Sequence, residues 1–255
     1  MYGNDVKEQY NLMSNFYNVL YAEVGVKAYE DEFINQYKEI LDELQTSSKV
    51  LDSSCGNGVK ATALKRKGID VVGTDISEEM IRLTEEYAEN NNLGFPTKKL
   101  PWQQLPFHFT EEFDIVFCCG NSISHSLSRT EMLTNIKSLY KVTKKGGKIV
   151  IDTRNWDKVL NENIRFNTSN IIEYNDKRYM FTYIWNLNGF NNISNVEILF
   201  VEIIDGKETK CIPLKLDFMP FTHNDFILIL KECGLKVLKD NFHIESDNYS
   251  VILEK

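Results

Sequence analysis

Lys49-Val50-Leu51-Asp52-Ser53-Ser54-Cys55-Gly56-Asn57-Gly58-Val59-Lys60 runs from a short apolar strand into a glycine-containing turn. A polar helix follows, then a second strand, Ile69-Asp70-Val71-Val72-Gly73-Thr74-Asp75. An acid about twenty residues beyond such a turn is how an open α/β sheet holds a nucleoside-containing ligand at the carboxyl ends of its strands. Gly56 and Gly58 allow a sharp turn and a close approach of backbone to ligand. The N–H groups that open the next helix have no partner inside it and are free to bind. Asp75 has lone pairs for both vicinal hydroxyls of a ribose. A dinucleotide turn would want a third glycine near Ala61, and Ser54 stands where a further glycine often sits, so a pyrophosphate is the less favoured ligand.

Outward from this unit, strands and helices keep alternating. Ser77, with Glu78 and Glu79 after it, caps a helix that runs to about Asn90. Lys98–Leu100, Phe113–Cys119 and Lys148–Asp152 read as further strands, the last two apolar enough to be buried on both faces. Glu131–Val142 reads as a helix and Lys144–Gly147 as a turn. This alternation predicts right-handed crossovers and a parallel sheet. Beyond Asp152 the pattern changes: Arg178–Leu187, Ser194–Ile204 and Lys207–Phe218 are long strand-like runs, with Asp205-Gly206 as a hairpin dipeptide. Thr222 caps a helix through Cys233-Gly234, and Leu235–Lys239 and Tyr249–Leu253 close the main sheet as antiparallel strands. Toward the start, residues 1–48 show helical spacing and an aromatic-rich entry with Tyr10, Tyr17, Tyr21 and Tyr29.

The expected protein is α/β: a Rossmann-like, seven-stranded, mostly parallel sheet with helices on both faces. Residues 1–48 form an N-terminal helical lid, 49–159 the ligand-binding core, 160–218 an antiparallel β cover over the substrate side, and 219–255 a helix and strands completing the core sheet. A chain of 255 residues is long enough to bury such a core. Its formal charge of −8 disfavours a nucleic-acid backbone as partner. With no apolar run of about 18 residues and no basic-then-apolar leader, the expectation is a cytoplasmic protein without a membrane partner. Cys55, Cys118, Cys119, Cys211 and Cys233 show no metal-ligand spacing with the histidines, so no metal is expected and the thiols read as small buried hydrophobes.

Three further stretches stand at strand ends. Lys99-Leu100-Pro101-Trp102 places an indole face where an adenine would stack, or a packing Trp. Cys119-Gly120-Asn121-Ser122-Ile123-Ser124-His125 lines the crevice side of a buried strand. Ile151-Asp152-Thr153-Arg154-Asn155-Trp156-Asp157 presents an arginine that is a fork for a carboxylate, or a structural partner of Asp152 or Asp157.

Together, Leu51-Asp52-x-x-Cys55-Gly56-x-Gly58, Trp102, Gly120-Asn121-Ser122-x-x-His125 and Ile151-Asp152-x-Arg154-Asn155-Trp156-Asp157 resemble the glycine N-methyltransferase branch, with the glycine/sarcosine methyltransferases, of the class I S-adenosylmethionine (SAM) methyltransferases. All four stretches stand in order over residues 50–157. The resemblance implies SAM as cofactor and S-adenosylhomocysteine as product. It implies a cofactor cradle of Asp52, Ser54, Gly56, Gly58, Asp75, Ile76, Trp102, Gln103 and Cys119. Substrate contacts are expected from Asn121, Arg154, Tyr10 and Arg165, and catalytic roles from Asn121, His125, Arg154 and Tyr21.

Departures bear on the substrate more than on the cofactor. Pro101 replaces the family's Asn before Trp102, and Asn163-Ile164-Arg165-Phe166 replaces a stretch with two tyrosines. No clear match exists for the arginine that meets the methionyl carboxylate, though Lys27 lies nearby in sequence. The expected reaction is in-line methyl transfer to a neutral amine, aligned by Arg154 and shielded from water, with His125 as a candidate base. The substrate expected is a small amine, an amino acid such as glycine or sarcosine. A sugar amine, or a SAM-binding protein without turnover, remains as an alternative. A homo-oligomer is left open. The motif typical of nucleic-acid base methylation, Asn/Asp-Pro-Pro-aromatic, is replaced by Cys119-Gly120-Asn121-Ser122.

Overall fold

The computed structural model describes residues 6–22, 25–204 and 210–255. The Asp205-Gly206 hairpin expectation lies outside the described residues. The chain opens with four helices, α1 (Val6–Tyr17), α2 (Val19–Ala22), α3 (Val26–Gln36) and α4 (Lys38–Leu41). The core then alternates β1 (Lys49–Asp52), α5 (Val59–Arg66), β2 (Asp70–Asp75), α6 (Glu78–Asn90), β3 (Thr97–Lys99), α7 (Leu105–His108), β4 (Phe113–Cys118), α8 (Arg129–Val142) and β5 (Thr143–Arg154). A short helix α9 (Trp156–Glu162) leads to β6 (Phe166–Thr168), β7 (Ile172–Tyr174), β8 (Lys177–Asn186), β9 (Ser194–Ile203) and β10 (Lys210–Phe218). The last unit is α10 (His223–Glu232), β11 (Lys236–Asp240) and β12 (Asn248–Glu254).

Two sheets result. The larger has the order β11-β12-β5-β4-β1-β2-β3, parallel from β5 to β3 and antiparallel at β12 and β11. Strand order reverses between β1 and β4, and that switch point opens a crevice at their carboxyl ends. The mostly parallel, seven-stranded Rossmann-like sheet expected from the sequence is present, as is an additional antiparallel sheet, β10-β9-β8-β6 with β7 on β8. One face of the large sheet packs Val50, Ile115, Phe117 and Val150 against Phe33 of α3, Ile40 of α4 and Tyr37 between them. The other face shares a single apolar cluster with the antiparallel sheet, from Leu51, Val116 and Ile151 to Phe181, Val196, Phe200 and Leu216.

Local chemistry explains the boundaries. Ser77 caps α6 by accepting the Met80 N–H at 3.1 Å, and Thr222 caps α10 by accepting from Asp225. The turn expected at Lys144–Gly147 is instead the first part of β5. There the chain bulges between the pairs Phe113–Thr143 and Ile115–Lys148, with Gly146 at φ 76°. Helix α9 was not expected. Asn155 caps it through Lys158 N–H, while Asn155 Nδ2 donates to the carbonyls of His243, Ile244 and Ser246. Cys55, Cys118, Cys119 and Cys233 are buried and Cys211 is exposed, and none of the five is in a disulfide. No helix among the described residues is long and apolar enough to cross a membrane.

Candidate functional site

A cavity opens at the switch point. Its floor is the turn between β1 and α5, its far wall the loop after β4, and its roof the tyrosines of α1 and α2. Of the residues expected in the cofactor cradle, Ser54, Gly56, Asp75, Ile76, Trp102, Gln103 and Cys119 line it. Asp75 is half-buried; its Oδ2 accepts the Gly56 N–H at 3.0 Å and its Oδ1 the Ser77 N–H at 2.9 Å. Burial pushes its acid up to about 6, against the pull of these N–H groups. The same carboxylate therefore shapes the glycine turn and faces the cavity. Trp102 donates its Nε1–H to Ser53 O at 2.8 Å, which fixes the indole against the turn with the ring on the cavity wall.

Gly58 has a different use from the one expected. It does not line the cavity. It caps α5 at φ 80°, and a Cβ there would lie 2.8 Å from Thr84 Cγ2 and 2.9 Å from Thr84 Cα. Its glycine is required by the packing of α6 on the turn. Asp52 is also outside the lining, directly behind the turn. It is buried, and neither carboxylate oxygen has a hydrogen bond of good geometry among the described residues, though the Ser54 N–H is near enough to draw its acid down. Burial raises its pKa to about 6, with Lys60 drawing it down. Two lone acid oxygens beneath the turn are unsatisfied polar atoms that a bound group would relieve.

The roof joins three parts of the molecule at His125. Its Nδ1 lies 2.8 Å from the Asp217 carbonyl on β10, and its Nε2 lies 3.0 Å from the Tyr10 hydroxyl on α1. A carbonyl only accepts, so Nδ1 carries the proton and Nε2 accepts from Tyr10. The ring also stacks on Phe218 at 4.4 Å. Burial lowers its pKa to about 4, which keeps it neutral. With both nitrogens engaged, His125 ties α1 and the antiparallel sheet to the core. Work as a base, expected from sequence, would first require Tyr10 to leave. Tyr10, Tyr17 and Tyr21 form a row on the cavity, with Tyr17 6.4 Å from Tyr10 and 5.8 Å from Tyr21.

Asn121 sits in the left-handed region at φ 60°. Its Oδ1 accepts from Thr153 Oγ1 and from Arg154 N–H, each at 3.0 Å, while its Nδ2 has no hydrogen bond among the described residues. Arg154 lies beside it at the end of β5, outside the lining of the cavity, with its guanidinium 5.0 Å over the Trp185 ring. The structural partners considered for it are taken elsewhere. Asp152 accepts the N–H groups of Gly120 and Asn121, and Asp157 accepts that of His223. Asp247 is bound to Lys158 at 2.8 Å. Arg154 Nε is buried without a hydrogen bond, the side chain has no ion pair among the described residues, and burial lowers its pKa.

Other expected residues are not brought to the site. Arg165 is exposed, with its guanidinium over Phe166, which is also exposed. Lys27 is exposed and paired with Asp31 at 2.6 Å. Asn155, Trp156 and Asp157 serve the fold: Asn155 and Asp157 tie down the C-terminal unit, and Trp156 is buried against Trp185 and Phe218. Of the cavity residues, Tyr17 is read from sequence only as part of the aromatic entry, and Lys60 is given no role there. Lys60 had a readable signal, since a charged residue in the first turn after a ligand-binding glycine turn faces the ligand.

Comparison with known proteins agrees with this geometry. Residues 50–147 match the model of a methyltransferase domain. The chain is 31% identical over 157 residues to a glycine/sarcosine N-methyltransferase of Aphanothece halophytica, covering 54% of this chain and 59% of the relative. It is 28% identical over 161 residues to the human glycine N-methyltransferase, covering 52% and 55%. The chain thus matches little more than half the length of these curated relatives. Among solved structures, a SAM-dependent methyltransferase from Clostridium acetobutylicum superposes with a TM-score of 0.75 at 18% identity, covering 96% of this chain and 98% of that one. A sugar N-methyltransferase from Streptoalloteichus gives 0.69 at 16%, covering 100% and 96%. Residues 50–147 are a methyltransferase domain, set in a chain that has the class I fold and resembles the glycine N-methyltransferase branch.

Proposed function

We propose that this protein is a SAM-dependent N-methyltransferase acting on a small amine that carries a carboxylate, an amino acid such as glycine or sarcosine. The observation that carries the substrate class is Arg154, a half-buried guanidinium whose Nε is buried without a hydrogen bond and which has no ion pair among the described residues, seated on an aromatic shelf beside the open Nδ2 of Asn121. An uncompensated buried charge is costly and is retained where a ligand supplies the counter-charge. The cofactor assignment draws on the cavity between Trp102, Asp75 and the glycine turn, and on the bare carboxylate of Asp52.

When bound, SAM supplies a methyl group already activated on a sulfonium. The protein's residues then position and exclude. Asp75 and Trp102 hold the nucleoside end. Arg154 fixes the carboxylate of the amine as a two-pronged donor. Asn121 offers its amide N–H groups to the same ligand. The tyrosine row on α1 and α2 shuts out water and favours the uncharged amine as nucleophile. His125 keeps that roof in place.

Arg154→Ala raises KM for a carboxylated amine at least tenfold, as expected for a lost charged hydrogen bond, and leaves KM for SAM near its original value. An unchanged KM for the amine sinks the clamp. A second reading, a sugar amine substrate, draws on the broad aromatic face of Tyr183 and Trp185, with ring centroids 6.1 Å apart, which suits a sugar ring. Mass spectrometry of products from SAM and a panel of amines, with and without carboxylates, separates the two.

A further inference from the structure

Among the described residues, Lys60 is the only lysine or arginine on the cavity wall. It stands in the first turn of α5, two residues past Gly58, and lines the cavity with Tyr21, Cys119 and Gly120. Among the described residues it makes no hydrogen bond and no ion pair. Its surroundings are acidic. Asp52 and Asp152 both act on it, and with Tyr21 and Cys119 they outweigh the burial that opposes its charge, so it stays an ammonium. Neither acid neutralises it by contact among the described residues: Asp152 Oδ1 is held by two backbone N–H groups, and Asp52 makes no ion pair with it. Gly120, at φ 84°, lies beside it: a Cβ there would be in ordinary contact with Lys60 Nζ at 3.8 Å, which places the ammonium against the loop after β4.

The cavity thus has two unlike ends. Trp102, Pro101 and Gln103 make an aromatic and amide end, with Asp75 toward the ribose. Across the glycine turn stand a bare ammonium and, behind the turn, a bare carboxylate. An α-amino acid in its zwitterionic form has the complementary pair of charges. We infer that Lys60 is the counter-charge for the α-carboxylate of the methionyl end of the cofactor, in place of Lys27, which is exposed and paired. The inference rests on the SAM reading above. It also separates the two orphan cations: Lys60 serves the carboxylate of the cofactor, Arg154 that of the amine.

Binding measured by titration calorimetry tests this without turnover. The probes are S-adenosylhomocysteine, its decarboxylated analogue, and methylthioadenosine, which lacks the whole amino acid end. The wild-type protein should prefer S-adenosylhomocysteine to the decarboxylated analogue by about 10- to 100-fold, the range for a hydrogen bond to a charged group. Lys60→Met should abolish that preference and leave methylthioadenosine binding unchanged, and Lys60→Arg should retain most of it. Thermal unfolding of each variant checks that it is folded. A Lys60→Met protein that keeps the preference, or that weakens all three probes alike, overturns the assignment. A wild-type protein that binds S-adenosylhomocysteine with no preference for the carboxylate overturns Lys60 alone. One that binds none of the probes overturns the cofactor reading itself.

Discussion

The two sheets bury their residues in different ways. In the large sheet, β4 and β12 are covered on both faces: Ile115 and Phe117 point to one side, Val116 and Cys118 to the other, and all are buried. In the antiparallel sheet only alternate residues are buried, such as Ser194, Val196, Ile198 and Phe200 on β9. Two-sided strands leave nothing on their faces for a ligand, so the chemistry collects at their ends, where Asp52, Asp75, Cys119 and Arg154 stand. The one-sided sheet instead offers an aromatic face, and Phe181, Trp185 and Phe200 from it enter the same apolar cluster as the core. The antiparallel sheet is therefore expected to melt with the core, in one cooperative unit.

That expectation is broken or sharpened most strongly at Phe200, which is fully buried and stacks with Phe16 of α1 at 5.2 Å. Phe200→Ala should cost about 3–5 kcal/mol in urea unfolding, as should Phe117→Ala on the opposite face of the core. Each should give a single transition of similar slope. A biphasic curve for Phe200→Ala alone would make the antiparallel sheet a separate unit.

The seam between the regions is His125, and its test is pH. With a folded pKa near 4 and an ordinary value of 6.5, it binds fewer protons folded than unfolded between those limits. Stability resting on the neutral ring is complete above about pH 6.5 and is lost as the pH falls toward 4. Asp52 and Asp75, raised to about 6 by burial, act in the opposite sense, since the fold gains as they take up protons below that pH. The acids are common to wild type and His125→Gln. The stability of wild type relative to His125→Gln should therefore fall by up to about 3 kcal/mol between pH 6.5 and 4. A flat difference would mean that the ring titrates normally. Hydrogen exchange on α1 should rise with the same midpoint as the Tyr10 bond is lost.

These regions also differ in how much of them can be read from sequence. The Rossmann-like core is legible because its signals are local: the glycine turn, the Ser77 cap, the apolar runs of β4 and β5. Strand positions in the antiparallel sheet are legible too, from alternation. What cannot be read is any role set by a distant partner or by the lack of one. Gly58 looks like a ligand glycine and is a packing glycine, because Thr84 comes against it from α6. Asn155, Trp156 and Asp157 follow the same motif as Arg154, yet the C-terminal unit claims them. Lys60 and Arg154 acquire meaning only once every acid near them is seen to be engaged or out of reach.

Glycines sharpen the contrast at a smaller scale. Gly58 and Gly189 both have positive φ, at 80° and 84°. Gly189, between β8 and β9, has only Asn192 Nδ2 near, at 3.9 Å. Gly189→Ala should cost about 1 kcal/mol, from backbone conformation alone. Gly58→Ala adds a clash with Thr84 that its backbone cannot yield to and should cost about 2 kcal/mol or more. Equal losses in chemical unfolding would mean that α6 can shift, and that the turn is looser than its packing indicates.

The smallest effect has the opposite sign. Arg154 stands at the end of a core strand but rests on Trp185 of the antiparallel sheet. A cation over an indole is worth about 0.5–2 kcal/mol, whereas an ion without a partner loses several kcal/mol of hydration when buried. Desolvation should win by a small margin, so Arg154→Met should raise the stability of the ligand-free protein by about 1 kcal/mol. Adding a carboxylated amine reverses the order: wild type gains stability in proportion to the logarithm of ligand over Kd, and Arg154→Met gains little. Urea unfolding with and without glycine measures both. If Arg154→Met instead loses as much as Phe200→Ala in the absence of ligand, the arginine is part of the seam and the sugar amine reading takes precedence. A gain without ligand and a loss with it would mark Arg154 as strain held in the fold for a carboxylate.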